Sequence, residues 1–256
     1  MYRFQSLQTV RVSDGIARQI REVIFAGKLK PGDKLPTERE LVEQFHSSRA
    51  SVREAVRSLE HLGLIKIKRG AGGGTYVSEA NHRPVAESFW VRMQLNKGTV
   101  DHLTEARILL EPAVCRLAAK HADAKDLERL RKAVEEQEAL VRAGKEVASY
   151  DLKFHRLLFE AAHNPVLEIT TASVIDLLTS ALEQAQVGGN LTPHVVNFHR
   201  AIYNALSARD GDRAARLMND HVSDIQKRLR PFLIKGRGAA ALVTIPPRLR
   251  ESSWDH

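Results

Sequence analysis

The sequence predicts a mainly α protein, with an N-terminal winged helix-turn-helix followed by a C-terminal all-α helical bundle. Three observations predict this. Residues 29–70 read LKPGDKLPTERELVEQFHSSRASVREAVRSLEHLGLIKIKRG, two short amphipathic helices and then a basic strand. From Val85 onward almost every segment carries apolar residues at helical spacing, and no alternating strand pattern competes. Aromatic content is only 5%, which suits helices packed through Leu, Ile, Val and Ala. At 256 residues, two modest domains are expected, each with its own core. Their expected bounds are 1–78 and 85–231, joined by a linker at 79–84. Residues 232–256 are rich in Gly, Pro, Arg and Ser and are expected to form a mostly disordered tail.

The first helix is expected over Ser13–Ala26, where Ile16, Ile20, Val23 and Ile24 form an apolar stripe. Gly27 ends it, and Lys30-Pro31-Gly32-Asp33 makes a turn. Thr37-Glu38-Arg39-Glu40 has the capping-box pattern and opens a short helix through Phe45. Ser47 or Ser48 can cap the next helix, which runs to about Leu62. Its buried face is Val52, Ala55, Val56, Leu59 and Leu62, while Arg49, Arg53 and Arg57 form a separate stripe. Such a stripe can enter a DNA major groove, gripping guanine or clamping phosphate. A solvated charged face is the competing reading. Ile65-Lys66-Ile67-Lys68 alternates as a half-buried strand does, Arg69 to Gly74 makes a flexible basic tip, and Thr75-Tyr76-Val77 returns. A wing of this kind can lay Arg69 against the minor groove or phosphates. A nucleotide loop is a poor reading, because no Gly-Lys-Ser/Thr follows and a strand comes next.

Charge agrees with a nucleic-acid partner for this part. The net charge is +8, yet residues 1–83 carry 15 Lys/Arg against 9 Asp/Glu, while residues 84–231 carry 20 of each. The single Cys115 cannot form an intrachain disulfide, which fits a reducing cytoplasm. No signal peptide and no uninterrupted apolar run of about 18 residues is found, so a membrane partner is not expected.

Helices of the second domain are expected over 85–95, 100–120, 124–143, 147–162, 165–186, 193–208 and 213–230. Asn164-Pro165 and Thr192-Pro193 mark two starts, and Pro112 should kink the helix that contains it. Asp151 and His155 are four apart and share a helix face. His199 lies 12 residues before Gly211 and His221 lies 10 after it, so an antiparallel hairpin would set them side by side. Three imidazoles and a carboxylate suit a divalent ion, zinc first, with nickel or manganese as alternatives. Against this stands the histidine count: among 11 histidines, most are expected at the surface or satisfied in a core.

PGDKLPTERELVEQF, SRASVREAVRSLEHLGLI and RGAGGGTYV fall in the order and spacing of the GntR family of bacterial transcription regulators, which residues 16–77 closely resemble. The resemblance implies DNA contacts from Arg39, Ser48, Arg49, Ser51, Arg53, Arg69 and Gly70. It also implies a homodimer on a palindromic double-stranded operator and a cytoplasmic, nucleoid-associated location. DLKFHRLLFEAAHNPVL and FHRAIYNALSARDGDRAARLMNDHV resemble the FCD effector domain of the FadR subgroup. That resemblance implies metal ligation by Asp151, His155, His199 and His221. It also points to Arg107 as a pocket residue that grips the carboxylate of a small organic acid effector. A surface salt bridge from Arg107 to Glu111 is the alternative. The expected function is a repressor released from its operator by a carboxylate bound at a metal-containing pocket. A direct metal sensor is the runner-up. A metal-dependent enzyme is disfavoured, since no well-placed general base accompanies the ligand set.

Overall fold

In the computed structural model, residues 11–70, 72–79, 81–144, 148–184 and 193–235 are described, with the side chains of 148–151, 183–184 and 229–235 outside that description. The chain divides into two compact units, Met1–Pro84 and Val85–His256.

The first unit holds α1 (Val12–Phe25), α2 (Glu38–Phe45), α3 (Arg49–His61), β1 (Ile65–Lys68) and β2 (Gly74–Val77). The capping box forms as expected: Thr37 Oγ1 accepts from the Glu40 amide at 3.3 Å, and the Glu40 carboxylate accepts from the Thr37 amide at 2.7 Å. Between α2 and α3, His46 adopts left-handed φ of 47°, and Ser48 rather than Ser47 caps α3 by accepting from the Ser51 amide at 3.1 Å. Ile16 and Ile20 of α1 meet Leu41 of α2, Val52, Ala55, Val56 and Leu59 of α3, and the Ile65–Val77 pair of the wing in one core. Each fully buried Val, Leu or Ile side chain in this core contributes about 1.5–3 kcal/mol.

Two expectations for this unit need correction. Leu62 is 49% exposed, because it is the C-cap residue of α3 and lies beyond the stripe that faces α1. In β1 only Ile65 is buried, while Ile67 is 44% exposed, because the core beneath the two-stranded sheet ends at the Ile65–Val77 pair. The wing is braced from the side by the loop after α1, where the Leu35 amide donates to the Thr75 carbonyl at 2.8 Å. At its tip, a Cβ on Gly73 would lie 2.8 Å from the carbonyl oxygens of Gly70 and Lys68, so only glycine fits there.

The second unit is all helix among the described residues: α4 (Arg83–Leu95), α5 (Val100–His121), α6 (Ala124–Arg142), α7 (Ala148–Ala161), α8 (Pro165–Gln184), α9 (Pro193–Ser207) and α10 (Gly211–Lys235). α4 starts at Arg83, two residues before the expected position, because Pro84 is tolerated in a first helical turn. α10 continues past Pro231 to Lys235, beyond the expected end of the bundle at 231, and Phe232-Leu233-Ile234 extends the apolar spacing. Residues 236–256, which hold the rest of the expected tail, lie outside the described residues. So does Thr192, the expected cap of α9. Asn164 does cap α8, its Oδ1 accepting from the Val166 and Leu167 amides at 3.1 Å each. α5 runs through Pro112 without a break.

α5 packs against α10, α8, α7 and α9, while α6 lies on α7 and α9. Phe154, Leu158, Phe159, Leu130, Ile202, Leu206 and Met218 fill the space between them. By length and mean hydropathy (1.3), Pro165–Leu182 of α8 could cross a membrane, but half of it is buried inside the bundle, as befits a core helix.

Candidate metal centre and nucleic-acid interface

α7, α9 and α10 each bring one histidine to the middle of the bundle. The α9–α10 hairpin turns at Arg209–Gly211, where Arg209 has φ of 59° and Asp210 accepts from the Arg213 amide at 2.9 Å. Gly211 lets the start of α10 approach α5: a Cβ there would be 3.2 Å from the Arg116 Cα. The near-equal distances from this turn place His199 and His221 together, with ring centroids 4.9 Å apart. His155 joins them from α7, its Nε2 3.2 Å from the Nε2 of His221. All three are at most 1% exposed, and their potential ligand nitrogens lie within 4.8 Å of one another. Asp151 sits one turn before His155 in α7, but its side chain lies outside the described residues.

The surroundings of the histidines hold two residues that the sequence reading did not place at the site. Glu111 of α5 is fully buried and bridges two groups: Oε1 accepts from Arg107 Nε at 2.5 Å, and Oε2 lies 2.9 Å from His155 Nδ1. Gln137 of α6, also fully buried, has Oε1 2.8 Å from His199 Nδ1. Arg107 is therefore an ion-pair partner of Glu111, but inside the bundle at 5% exposure rather than on the surface. A sequence signal for both residues existed. Glu111 lies on the same stripe of α5 as buried Leu103, Thr104, Val114, Cys115 and Ala118, and Gln137 continues the stripe of Leu130, Ala133 and Val134 on α6. A charged or amide side chain on an apolar stripe marks an enforced polar contact.

The electrostatics keep the His199 and His221 imidazoles ready for an ion. Burial, then repulsion from His221 and His155, holds His199 well below the ordinary imidazole range. Burial and then His155 do the same to His221. Burial works against ionisation of Glu111, but Arg107 and then His155 outweigh it and hold its carboxyl at about 2. The donor set fits a divalent cation: neutral imidazoles are the ligand form. Two nitrogens bound to one zinc at about 2.0–2.1 Å lie roughly 3 Å apart, close to the 3.2 Å between His155 and His221.

In the first unit, α3 buries Val52, Ala55, Val56 and Leu59 and exposes Arg49, Arg53 and Arg57. Arg39 on α2 is exposed and only loosely paired with Glu43 at 3.8 Å. Ser48 and Ser51 face one another, their hydroxyl oxygens 3.0 Å apart, so Ser48 has a capping role in addition to any other. Arg69 and Gly70 are exposed at the tip between β1 and β2, and Gly70 takes φ of 92°. Behind the tip, the Tyr76 hydroxyl donates to the Gly72 carbonyl at 2.8 Å, and the Lys34 and Lys68 ammonium groups stand 5.7 and 5.5 Å from its ring centre.

Comparison with known proteins agrees with both halves. Residues 12–77 match the bacterial regulatory proteins of the gntR family, and residues 102–224 match the FCD domain. The HTH-type transcriptional regulator LutR of Bacillus subtilis strain 168 is 32% identical over 80% of this chain and 94% of its own. The galactonate operon transcriptional repressor of Escherichia coli K12 is 29% identical over 87% of this chain and 98% of its own. A solved GntR structure from Streptococcus agalactiae is 26% identical, covers 84% of this chain and 99% of its own, and superposes with a TM-score of 0.64. Both of these curated relatives are named as regulators of transcription. The chain belongs to the GntR family of bacterial transcription regulators, in the FadR subgroup that carries an FCD domain at its C-terminal end.

Proposed function

We propose that this regulator is a homodimeric repressor that leaves a palindromic operator when a small carboxylate binds in its metal-containing FCD bundle. One observation carries the reading: the buried Arg107–Glu111 ion pair reaches His155, which leads to His199 and His221. Charges buried this deeply cost stability unless compensated, and they concentrate at functional sites. His155, His199 and His221 would hold the ion, with Asp151 as the fourth protein ligand. The bound ion supplies a Lewis-acidic, positively charged anchor for a carboxylate oxygen. Arg107 would grip the same acid from the other side. Because Glu111 touches both Arg107 and His155, a ligand that draws on the guanidinium is felt at the metal ligand.

DNA would be met by Ser48, Arg49, Ser51 and Arg53 around the start of α3, by Arg39 of α2, and by Arg69 and Gly70 of the wing. The acid can shift operator occupancy only by binding the released state more tightly than the bound one. A relative named for a galactonate operon directs the search toward sugar acids and hydroxy acids. The test is operator binding by the zinc-loaded protein, measured against a panel of small mono-, di- and hydroxy-carboxylates and sugar acids. Release by one of them, lost in His199→Ala, is the expected result. A panel with no effect at full metal occupancy overturns the carboxylate part. One observation would then favour a direct metal sensor: Arg107 already has a protein carboxylate in Glu111. Operator affinity that follows metal concentration alone would mark that second function.

A further inference from the structure

We propose that Glu111 and Gln137 are positioning residues, which accept the Nδ1 protons of His155 and His199 and so present Nε2 of both rings as the ligand atoms. The inference rests on the metal reading above and deepens it. The geometry leaves little choice of tautomer. A carboxylate has no hydrogen to give and repels a ring lone pair, so Glu111 Oε2, in ion-pair contact at 2.9 Å from His155 Nδ1 but without hydrogen-bond alignment, favours the hydrogen on that nitrogen. The Gln137 carbonyl oxygen, 2.8 Å from His199 Nδ1, likewise can only accept. A neutral imidazole protonated on Nδ1 carries its lone pair on Nε2. On His155 that nitrogen already lies 3.2 Å from His221 Nε2.

Ring orientation is fixed along with the tautomer. The His199 ring is stacked on Phe154 at 4.0 Å between centroids, with the Gln137 contact at its edge. Glu111 reaches His155 from α5 and Gln137 reaches His199 from α6, so two helices that hold no ligand set the aim of two that do. The anchors differ in kind. Glu111 brings a charge that strengthens its ring as a donor but shares that charge with Arg107, whereas Gln137 orients its ring without adding charge. His221 has no carboxylate or amide oxygen recorded at its Nδ1 among the described residues, and its ring lies against His155, His199 and Phe198.

The experiment uses the full chain labelled with 15N-histidine. Long-range 1H–15N spectra of the zinc-free protein report each tautomer, and competition with a chromophoric chelator gives the zinc dissociation constant. His155 and His199 are expected as Nδ1–H tautomers without zinc and as Nε2 ligands with it. Gln137→Leu and Glu111→Leu should each weaken zinc binding about 10- to 100-fold and release the ring concerned from its single tautomer. Gln137→Glu retains an acceptor and should stay close to wild type, whereas Glu111→Gln keeps the Nδ1–H tautomer but loses the charge, so its zinc binding should fall between wild type and Glu111→Leu. If Glu111→Leu does not fold, the wild-type spectrum and the Gln137 pair still decide. An Nε2–H tautomer on either ring, or leucine variants that bind zinc as the wild type does, overturns the proposal while leaving the metal site standing. A wild-type chain that binds no zinc, nickel or manganese overturns both.

Discussion

Replacing Arg107 by methionine should cost the FCD unit about 3 kcal/mol at pH 7. Methionine keeps much of the stem and removes the guanidinium, leaving Glu111 buried with His155 as its partner. The magnitude follows from the carboxyl itself. Its ordinary value of 4.5 is lowered to about 2 in the folded chain. At 1.36 kcal/mol per unit, that difference is worth about 3 kcal/mol of stability, with Arg107 its largest single source ahead of His155. Removing one partner of a buried pair generally costs about 3–5 kcal/mol, in agreement. The group has a depressed folded pKa, so its contribution is present above about 4.5 and lost as pH falls toward 2. The gap between wild type and Arg107→Met should therefore shrink across that window. Urea unfolding of metal-free protein, followed by the fluorescence of Trp90, reads the unit directly, since Trp90 packs against the core formed by Ala86, Leu103 and Leu177. Adding Glu111→Leu to Arg107→Met should return part of the loss, less about 1–3 kcal/mol for the His155 Nδ1–H left without its acceptor. A loss below about 1 kcal/mol, or a gap that does not change with pH, would show that the carboxylate is not a buried charge held by Arg107.

Three further outcomes are expected. Arg49→Ala and Arg53→Ala should each weaken operator binding by about 1–3 kcal/mol if they read bases, or lower the salt slope by about one if they hold phosphate; titrations at several salt concentrations separate these, and unchanged binding would remove α3 from the interface. Ser48→Ala should destabilise the N-terminal unit by about 1 kcal/mol through loss of the α3 cap, seen in hydrogen exchange of the first turn of α3. Metal-free protein should lose stability as pH drops below about 6.5, because the unfolded chain takes up protons that buried His199 and His221 refuse. Above that pH the two groups contribute no slope. Melting temperatures at pH 7.5, 6 and 5 test this, and a slope equal to that of His199→Phe would count against it.

Much of the DNA-binding unit was legible because its information is local. The capping box at Thr37–Glu40, the α3 stripes and the glycine-rich tip are each set by residues within a few positions of one another. The histidine cluster was legible for a related reason: a hairpin turns sequence distance into spatial distance, so counting from Gly211 paired His199 with His221. Leu62 and Ile67 were misjudged because periodicity gives a face but not the point at which the core beneath that face ends.

By itself, the sequence determined the helical class, the order of elements, the basic wing, and which histidines could meet. Tertiary structure alone decided what those histidines touch. Glu111 and Gln137 reach them from α5 and α6, 44 and 62 positions away in the chain, and the same packing buries the Arg107–Glu111 pair that i, i+4 spacing alone would equally allow at the surface. The physical reason is the dielectric surroundings. Spacing along a helix says that two charges can pair, but only the packing of the other helices says whether water is excluded, and exclusion of water makes an ordinary ion pair part of a site.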